Sequence, residues 1–247
     1  MKDYANKNIW IIGASSGIGR ALAIELDRRG ARLALSSRDG MKLENLSSLS
    51  SHHLVLPCDV TDPDMLSRAA KTVSKFFGHI DSALFLAGTY QPMKLDALDI
   101  TSIQNIINVN LNGAFNFIYT VLPLLLEQKS GQIGICASVA GYRGLPNSQP
   151  YSATKAALIN LTESLRAEMN PLGLDIRLIN PGFVRTPMTD KNSFPMPMII
   201  EPEDAAKAIA DGLKSKKFEI HFPRRFTWMM KILRLLPSFA YFRIIPK

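Results

Sequence analysis

The 247-residue sequence predicts an α/β protein built on a doubly wound parallel sheet, a three-layer α/β/α arrangement. Three observations predict it. Short aliphatic and β-branched runs alternate with amphipathic stretches along the chain. The runs are nearly continuous in apolar residues, as strands covered on both faces must be. A glycine-rich turn, Gly13-Ala-Ser-Ser-Gly17-Ile-Gly19, follows the first run directly and opens the first amphipathic stretch.

Asn8-Ile-Trp-Ile-Ile12 reads as the first strand, and Ile18 to Arg29 as a helix in which Ile18, Leu22 and Leu26 fall on one face. Strands follow at Arg32 to Ser36, His53 to Pro57 and Ile80 to Leu86, with helices near Gly40 to Ser48 and Asp64 to Phe77 between them. Later helices cover Thr101 to Gln128, with a bend near Asn110, and Tyr151 to Met169. Strands at Gly131 to Ala137 and Leu174 to Ile179 flank them. No repeat, low-complexity tract or linker divides the sequence, so residues 1–247 read as one domain. The stretch Thr186 to Glu201 breaks the rhythm: Pro187, Pro195 and Pro197 interleave with Met188, Phe194, Met196 and Met198. A segment of that length and composition is expected to be a lid or binding loop.

Composition narrows the function classes. At 47% apolar and 20% charged residues the chain is neither disordered nor collagenous, and two cysteines make no disulfide scaffold. Cys58 and Cys136 stand at the ends of apolar strands, which points to a reducing compartment. Ile9 to Ile12 is too short for a signal peptide, so a cytoplasmic protein is expected. The net charge of +8 resides wholly in residues 214–247, where Glu219 is the only acid. A neutral body with a basic end disfavours nucleic-acid binding and suggests a membrane surface or acidic partner for that end. Within it, Arg224, Thr227, Lys231, Arg234 and Ser238 form a polar stripe opposite Phe226, Trp228, Met229, Met230, Ile232, Leu233, Leu235 and Leu236. This basic amphipathic segment, near 224–247, is too interrupted to span a bilayer; it suits either peripheral membrane attachment or a subunit interface.

The glycine turn permits close backbone approach, and the positive end of the following helix favours a phosphate or pyrophosphate at Gly13, Ser15, Ser16, Gly17, Ile18 and Gly19. Tyr151 and Lys155 fall one helical turn apart, and Ser138 follows an apolar strand. A free tyrosine, with a pKa of ~10, is a poor base at neutral pH, but a nearby cation favours its phenolate. His52, His53, His79 and His221 show no metal-ligand spacing, and the pair His52-His53 reads as an exposed strand entry, so no metal is expected.

Taken together, Gly13-x-x-x-Gly17-x-Gly19, Asn110, Ser138, Tyr151-x-x-x-Lys155 and Pro181-Gly182 resemble the classical short-chain dehydrogenase/reductase family, up to about Leu213, with its Rossmann-type fold. The resemblance implies Tyr151 as general acid/base and Lys155 as the residue that lowers its pKa and holds the nicotinamide ribose. It also implies Ser138 as the donor that polarises a substrate carbonyl. Asn110 would bend its helix and support a proton-relay water. Hydride would pass between a nicotinamide and a carbonyl carbon. Further cofactor contacts are implied at Asp59 and Val60 (adenine), Ala87 and Gly88 (ribose), and Pro181, Gly182, Val184 and Thr186 (carboxamide side). Ser37 and Arg38 replace the acid that would select a 2′-hydroxyl, so NADP(H) is expected over NAD(H). Two departures stand out: Ile12 in place of a threonine, and Phe85-Leu86-Ala87-Gly88 in place of Asn-Asn-Ala-Gly. Both remove side-chain hydrogen bonds that brace the sheet. The Met- and Phe-rich loop favours an apolar carbonyl substrate, such as a fatty-acyl, terpenoid or steroid-like ketone. The resemblance further implies a homodimer or homotetramer built on helices 101–128 and 151–169. The competing class is a non-catalytic nucleotide-binding or regulatory protein on the same scaffold, peripherally bound to a membrane.

Overall fold

The computed structural model describes residues 3–47 and 53–245; Ser48, His52 and Lys247, each part of a sequence expectation, lie outside them. Seven strands, β1 (Asn8–Ile12), β2 (Arg32–Ser37), β3 (Leu54–Pro57), β4 (Ser82–Phe85), β5 (Gln132–Cys136), β6 (Asp175–Pro181) and β7 (Glu219–Phe222), form one parallel sheet in the order β3-β2-β1-β4-β5-β6-β7. Strand order reverses between β1 and β4, and the carboxyl ends of the strands open a crevice at that switch point.

Alternate residues of β1 feed the two cores. Trp10 and Ile12 point into the layer with α3 (Pro63–Phe77), α5 (Gly113–Gln128) and α6 (Tyr151–Met169), while Ile9 and Ile11 enter the layer with α1 (Gly17–Arg28), α2 (Gly40–Ser47) and α7 (Pro202–Lys214). Each such aliphatic side chain removed from water contributes about 1.5–3 kcal/mol. The two family departures are core residues. Phe85 is fully buried and packs against Phe117 at 5.5 Å between ring centroids, and Ile12 is fully buried beside it. Dispersion and burial thus replace the lost side-chain hydrogen bonds, and the backbone bond from Leu86 N to Ile12 O (2.8 Å) persists.

The bend near Asn110 is a turn of π-helix over Asn108–Asn112, joining α4 (Ile100–Ile107) to α5 in one continuous helix. By length and composition this helix, 100–128, passes for a membrane span; here Phe117, Val121 and Leu125 pack it onto the sheet.

Two sequence expectations are corrected. His53 is no exposed strand entry: its ring is buried, Nε2 lies 2.9 Å from Asp27 Oδ1, and Nδ1 accepts from Leu33 N at 3.3 Å. The C-terminal segment is two helices, α8 (Arg224–Leu235) and α9 (Ser238–Ile244), interrupted at Pro237, whose lack of an N–H ends the run. Its polar stripe faces inward in part, since Thr227 is fully buried against His221 Nδ1 (2.6 Å) and Lys231 pairs with Glu219 (2.5 Å). Apolar Trp228, Met229, Ile232 and Leu235 are left outside. Hydrogen bonds to β7 that only polar side chains can make decide which face turns in.

Candidate active site

The turn between β1 and α1 is held against β2 by bonds from Gly13 N and Ala14 N to Ser36 O (2.8 and 3.1 Å). Glycine is obligatory at two of its positions. A Cβ on Gly13, whose φ is +95°, would stand 2.5 Å from Ala87 N, and one on Gly19 would stand 2.0 Å from Gly13 O. The carboxylates of Asp62 and Asp99 cap α3 and α4, but α1 has no side-chain cap and no acid in its first turn. Its first residues, Gly17, Ile18 and Gly19, line the crevice, so a helix terminus with unsatisfied amides faces open space. That cradle fits an anionic pyrophosphate.

The crevice holds about 670 Å³, within the range of cofactor sites. Ser15, Ser16, Ser37, Arg38, Val60, Ala87, Gly88, Pro181, Gly182, Val184 and Thr186 line it together with Ser138, Tyr151 and Lys155. Asp59 and Asn110 do not. Asp59 Oδ1 is already taken by Thr61 N (2.9 Å) and Thr61 Oγ1 (2.8 Å). Arg38 is exposed at the end of β2, and beyond it Asp39 pairs with Lys42 at 2.8 Å. Lys42 also holds the Asp39 carboxyl below its usual pKa. The acid that complicates a phosphate site therefore arrives with its own counter-ion.

Ser138 follows β5 and caps a short 3₁₀ turn, Val139–Gly141, by accepting from Ala140 N (3.1 Å). Gly141 lets that turn lie directly on α6: a Cβ there would stand 2.6 Å from Lys155 C. The close approach places Ser138, whose hydroxyl donates to Pro181 O (3.5 Å), in the same crevice as Tyr151, the first residue of α6. Lys155 Nζ lies 5.5 Å from the Tyr151 ring centroid and donates to Cys136 O (2.9 Å).

Burial raises the Tyr151 pKa above its ordinary value, the Cys136 thiol adds to the rise, and the nearby Ser138 hydroxyl opposes it. Burial pushes Lys155 down. The expected pull of Lys155 toward phenolate is not among the influences on Tyr151, whose burial favours the neutral phenol. Asn110, fully buried, accepts from Thr89 N (2.7 Å) and donates to Thr89 O (3.0 Å) and Thr154 Oγ1 (3.1 Å). With its side chain so engaged, it braces the Gly88–Thr89 loop against α6.

The loop after Phe183 closes on itself through bonds from Arg185 N to Ile200 O (2.9 Å) and Ile200 N to Phe183 O (3.1 Å). Over the crevice, Thr186 stands opposite Gly17, where a Cβ would meet its Cγ2 at 3.0 Å. Met188 lines the crevice, whereas Phe194 and Met198 are largely exposed. Lys191 Nζ donates to Tyr90 O (2.9 Å) and the Tyr90 hydroxyl to Asn192 Oδ1 (2.9 Å), tying the loop down beside Tyr151. Sequence reasoning missed Tyr90, Lys42 and Gly141. The glycine leaves a trace in the sequence, but the other two depend on contacts that spacing does not reveal.

A family model described as short chain dehydrogenase matches residues 7–195. An uncharacterised oxidoreductase of Myxococcus xanthus is 31% identical over 242 residues, 96% of each chain. One from Staphylococcus epidermidis is 34% identical over 204 residues, 82% of this chain and 89% of its own. Among solved structures, a short chain dehydrogenase from Burkholderia cenocepacia in complex with NADP superposes with a TM-score of 0.87 at 24% identity, covering 98% of this chain and 99% of that one. A 3-ketoacyl-(acyl-carrier-protein) reductase from Brucella melitensis complexed with NADH gives 0.82 at 22%, covering 89% and 98%.

Proposed function

The chain belongs to the short chain dehydrogenase family and is an oxidoreductase of CH–OH groups, and on that premise we propose an NADP(H)-dependent enzyme that interconverts an apolar carbonyl compound and its secondary alcohol, with Tyr151 as general acid/base. The observation that carries the reading is that Ser138, Tyr151 and Lys155 line one crevice together, with Lys155 Nζ 5.5 Å from the Tyr151 ring centroid.

Two hydroxyl donors in one crevice suit a carbonyl oxygen on which charge develops, and they would stabilise the alkoxide more than the ground state. The bound dinucleotide supplies the hydride. In the reductive direction Tyr151 donates its phenolic proton to the alkoxide oxygen, and in the oxidative direction the phenolate takes it back. The amides of Ser15 to Gly19 would hold the pyrophosphate and Lys155 the ribose. Val60, Ala87, Gly88, Pro181, Gly182, Val184 and Thr186 would shape the remainder of the cofactor site. Asn110 positions the Gly88–Thr89 loop.

The preference for NADP(H) rests on Arg38 and Ser37, with Lys42 offsetting Asp39. The apolar substrate class is supported by Met188 and by Tyr90 against Tyr151. A homo-oligomer through α5 is supported by Phe115 and Tyr119, which are exposed on its outer face. A cytoplasmic location is in keeping with Cys58 and Cys136, both buried free thiols.

Fluorescence titration with NADPH and NADH, on the wild type and Arg38→Ala, tests the cofactor assignment. NADPH should bind more tightly, and the substitution should remove the difference. Equal affinities in the wild type would overturn it.

A further inference from the structure

The helices α8 and α9 present an apolar surface that the fold does not use. In α8, Arg225, Trp228, Met229, Ile232 and Leu235 recur at helical spacing on one exposed arc, and Leu235 is 83% exposed. Across the break at Pro237, Phe239, Phe242 and Ile244 extend the surface. Exposed arginines stand among and around these residues at 224, 225, 234 and 243. Glu219, the only acid of residues 214–247, is turned inward and held by Lys231 at 2.5 Å.

The platform is fixed, not loose. The Arg143 guanidinium lies 3.9 Å from the Tyr241 ring centroid and donates to Leu233 O (3.2 Å) and Arg234 O (3.0 Å), while the Tyr241 hydroxyl donates to Gly144 O. Phe226 packs on Phe183 at 5.3 Å. The inward faces of both helices are thus engaged by the body, and the apolar residues outside are surplus to folding.

We propose that α8 and α9 form a docking platform for an anionic lipid surface, with the exposed aromatic and aliphatic residues entering the headgroup–acyl boundary and the four arginines pairing with lipid phosphates. Charge complementarity selects this occupant. A second copy bound isologously would set the four arginines against their own equivalents with no acid between them, which costs free energy. A bilayer carrying anionic headgroups accepts both components at once, burying the apolar arc by a few ångströms and neutralising the bases. A tryptophan amid basic residues is also suited to that boundary.

The protein carries its own probe, because one of its two tryptophans, Trp10, is fully buried in the sheet and the other, Trp228, is 57% exposed on the platform. The experiment is co-sedimentation and tryptophan emission of the full chain with vesicles of phosphatidylcholine alone or mixed with phosphatidylglycerol. We expect binding to the mixed vesicles only, weakened by salt, with emission moving to shorter wavelength. Arg225→Glu combined with Arg243→Glu should weaken partitioning by at least roughly twenty-five-fold, since each lost base is worth about fivefold near an anionic surface. Ile232→Glu with Phe242→Glu should abolish it. Both are surface substitutions, and unchanged circular dichroism and thermal midpoint establish that the variants fold. The wild-type vesicle comparison stands without them. Absence of binding to the mixed vesicles, or equal binding to neutral ones, overturns the proposal. So does concentration-dependent self-association that Ile232→Glu removes, which would make the platform a subunit contact.

Discussion

The ring of Tyr90 meets the ring of Tyr151 edge-on, with centroids 5.0 Å apart and planes inclined by 67°. The same Tyr90 reaches Asn192 through its hydroxyl, so one side chain links the proposed acid/base to the loop over the crevice. Tyr90→Phe keeps the ring and deletes the link. A neutral hydrogen bond contributes about 1 kcal/mol, so KM should rise about fivefold with kcat little changed. Tyr90→Ala also removes the aromatic contact, worth about 0.5–1.5 kcal/mol, and should lower kcat/KM about tenfold or more. Steady-state kinetics of both variants is the check; a Tyr90→Phe enzyme identical to the wild type would show that the link is idle.

Tyr151 is held neutral, and its direction of shift fixes the pH behaviour. In the proposed mechanism reduction needs the protonated phenol, so kcat/KM for a carbonyl substrate should stay flat through about pH 9. Oxidation needs the phenolate, whose population falls tenfold for each unit below a pKa raised above 10.0, so kcat/KM for the alcohol should climb steadily to about pH 10 without a plateau. Tyr151→Phe should lower both directions by roughly 10²–10⁴ while nucleotide binding persists. A plateau in the oxidative profile near neutral pH would show that the phenol is already ionised there.

What the sequence revealed here follows from the range of each physical constraint. The glycines of the β1–α1 turn are legible because backbone approach forbids any other residue at Gly13 and Gly19. Tyr151 and Lys155 are legible because one helical turn relates them, and the bend at Asn110 is a feature of one continuous helix. The short strand β7 was not legible, being four residues inside a basic stretch, nor was α7, whose onset rests on Pro202 at its first turn. The polarity of α8 misled for a related reason. Thr227 and Lys231 look like solvent residues until His221 and Glu219 of β7 give them partners. Asp59 likewise spends a carboxylate oxygen on Thr61, two residues away.

Two glycines separate packing from chain flexibility. Gly19→Ala would force a methyl to within 2.0 Å of Gly13 O, on backbone that cannot yield, whereas Gly144→Ala meets nothing within 4 Å. Overpacking of this kind costs about 1–3 kcal/mol and displaces the turn that lines the crevice. Gly19→Ala should therefore lose dinucleotide binding together with stability. Gly144→Ala should stay within about 0.5 kcal/mol of the wild type. Urea denaturation with and without NADPH checks both; unimpaired nucleotide binding by Gly19→Ala would contradict the cradle geometry.

Glu219 gives the acid response a specific origin. Burial would raise its pKa, but hydrogen bonds from Lys231, Tyr142 and Asn180 outweigh that and leave it below 4.5. A carboxyl with a depressed folded-state pKa contributes stability that is fully present above its unfolded value and lost as pH falls through the folded one. Glu219→Gln keeps the shape and removes the charge, so at pH 7 it should be less stable by about 2 kcal/mol, the worth of charge-assisted hydrogen bonds. In acid the wild-type carboxyl is itself protonated, and the difference between the two proteins should shrink. Urea denaturation at about pH 7 and about pH 3.5 measures it. A gap of equal size at both values would mean that the glutamate acts through packing alone, and the link from β7 through Tyr142 to the Ser138 turn would carry no charge dependence.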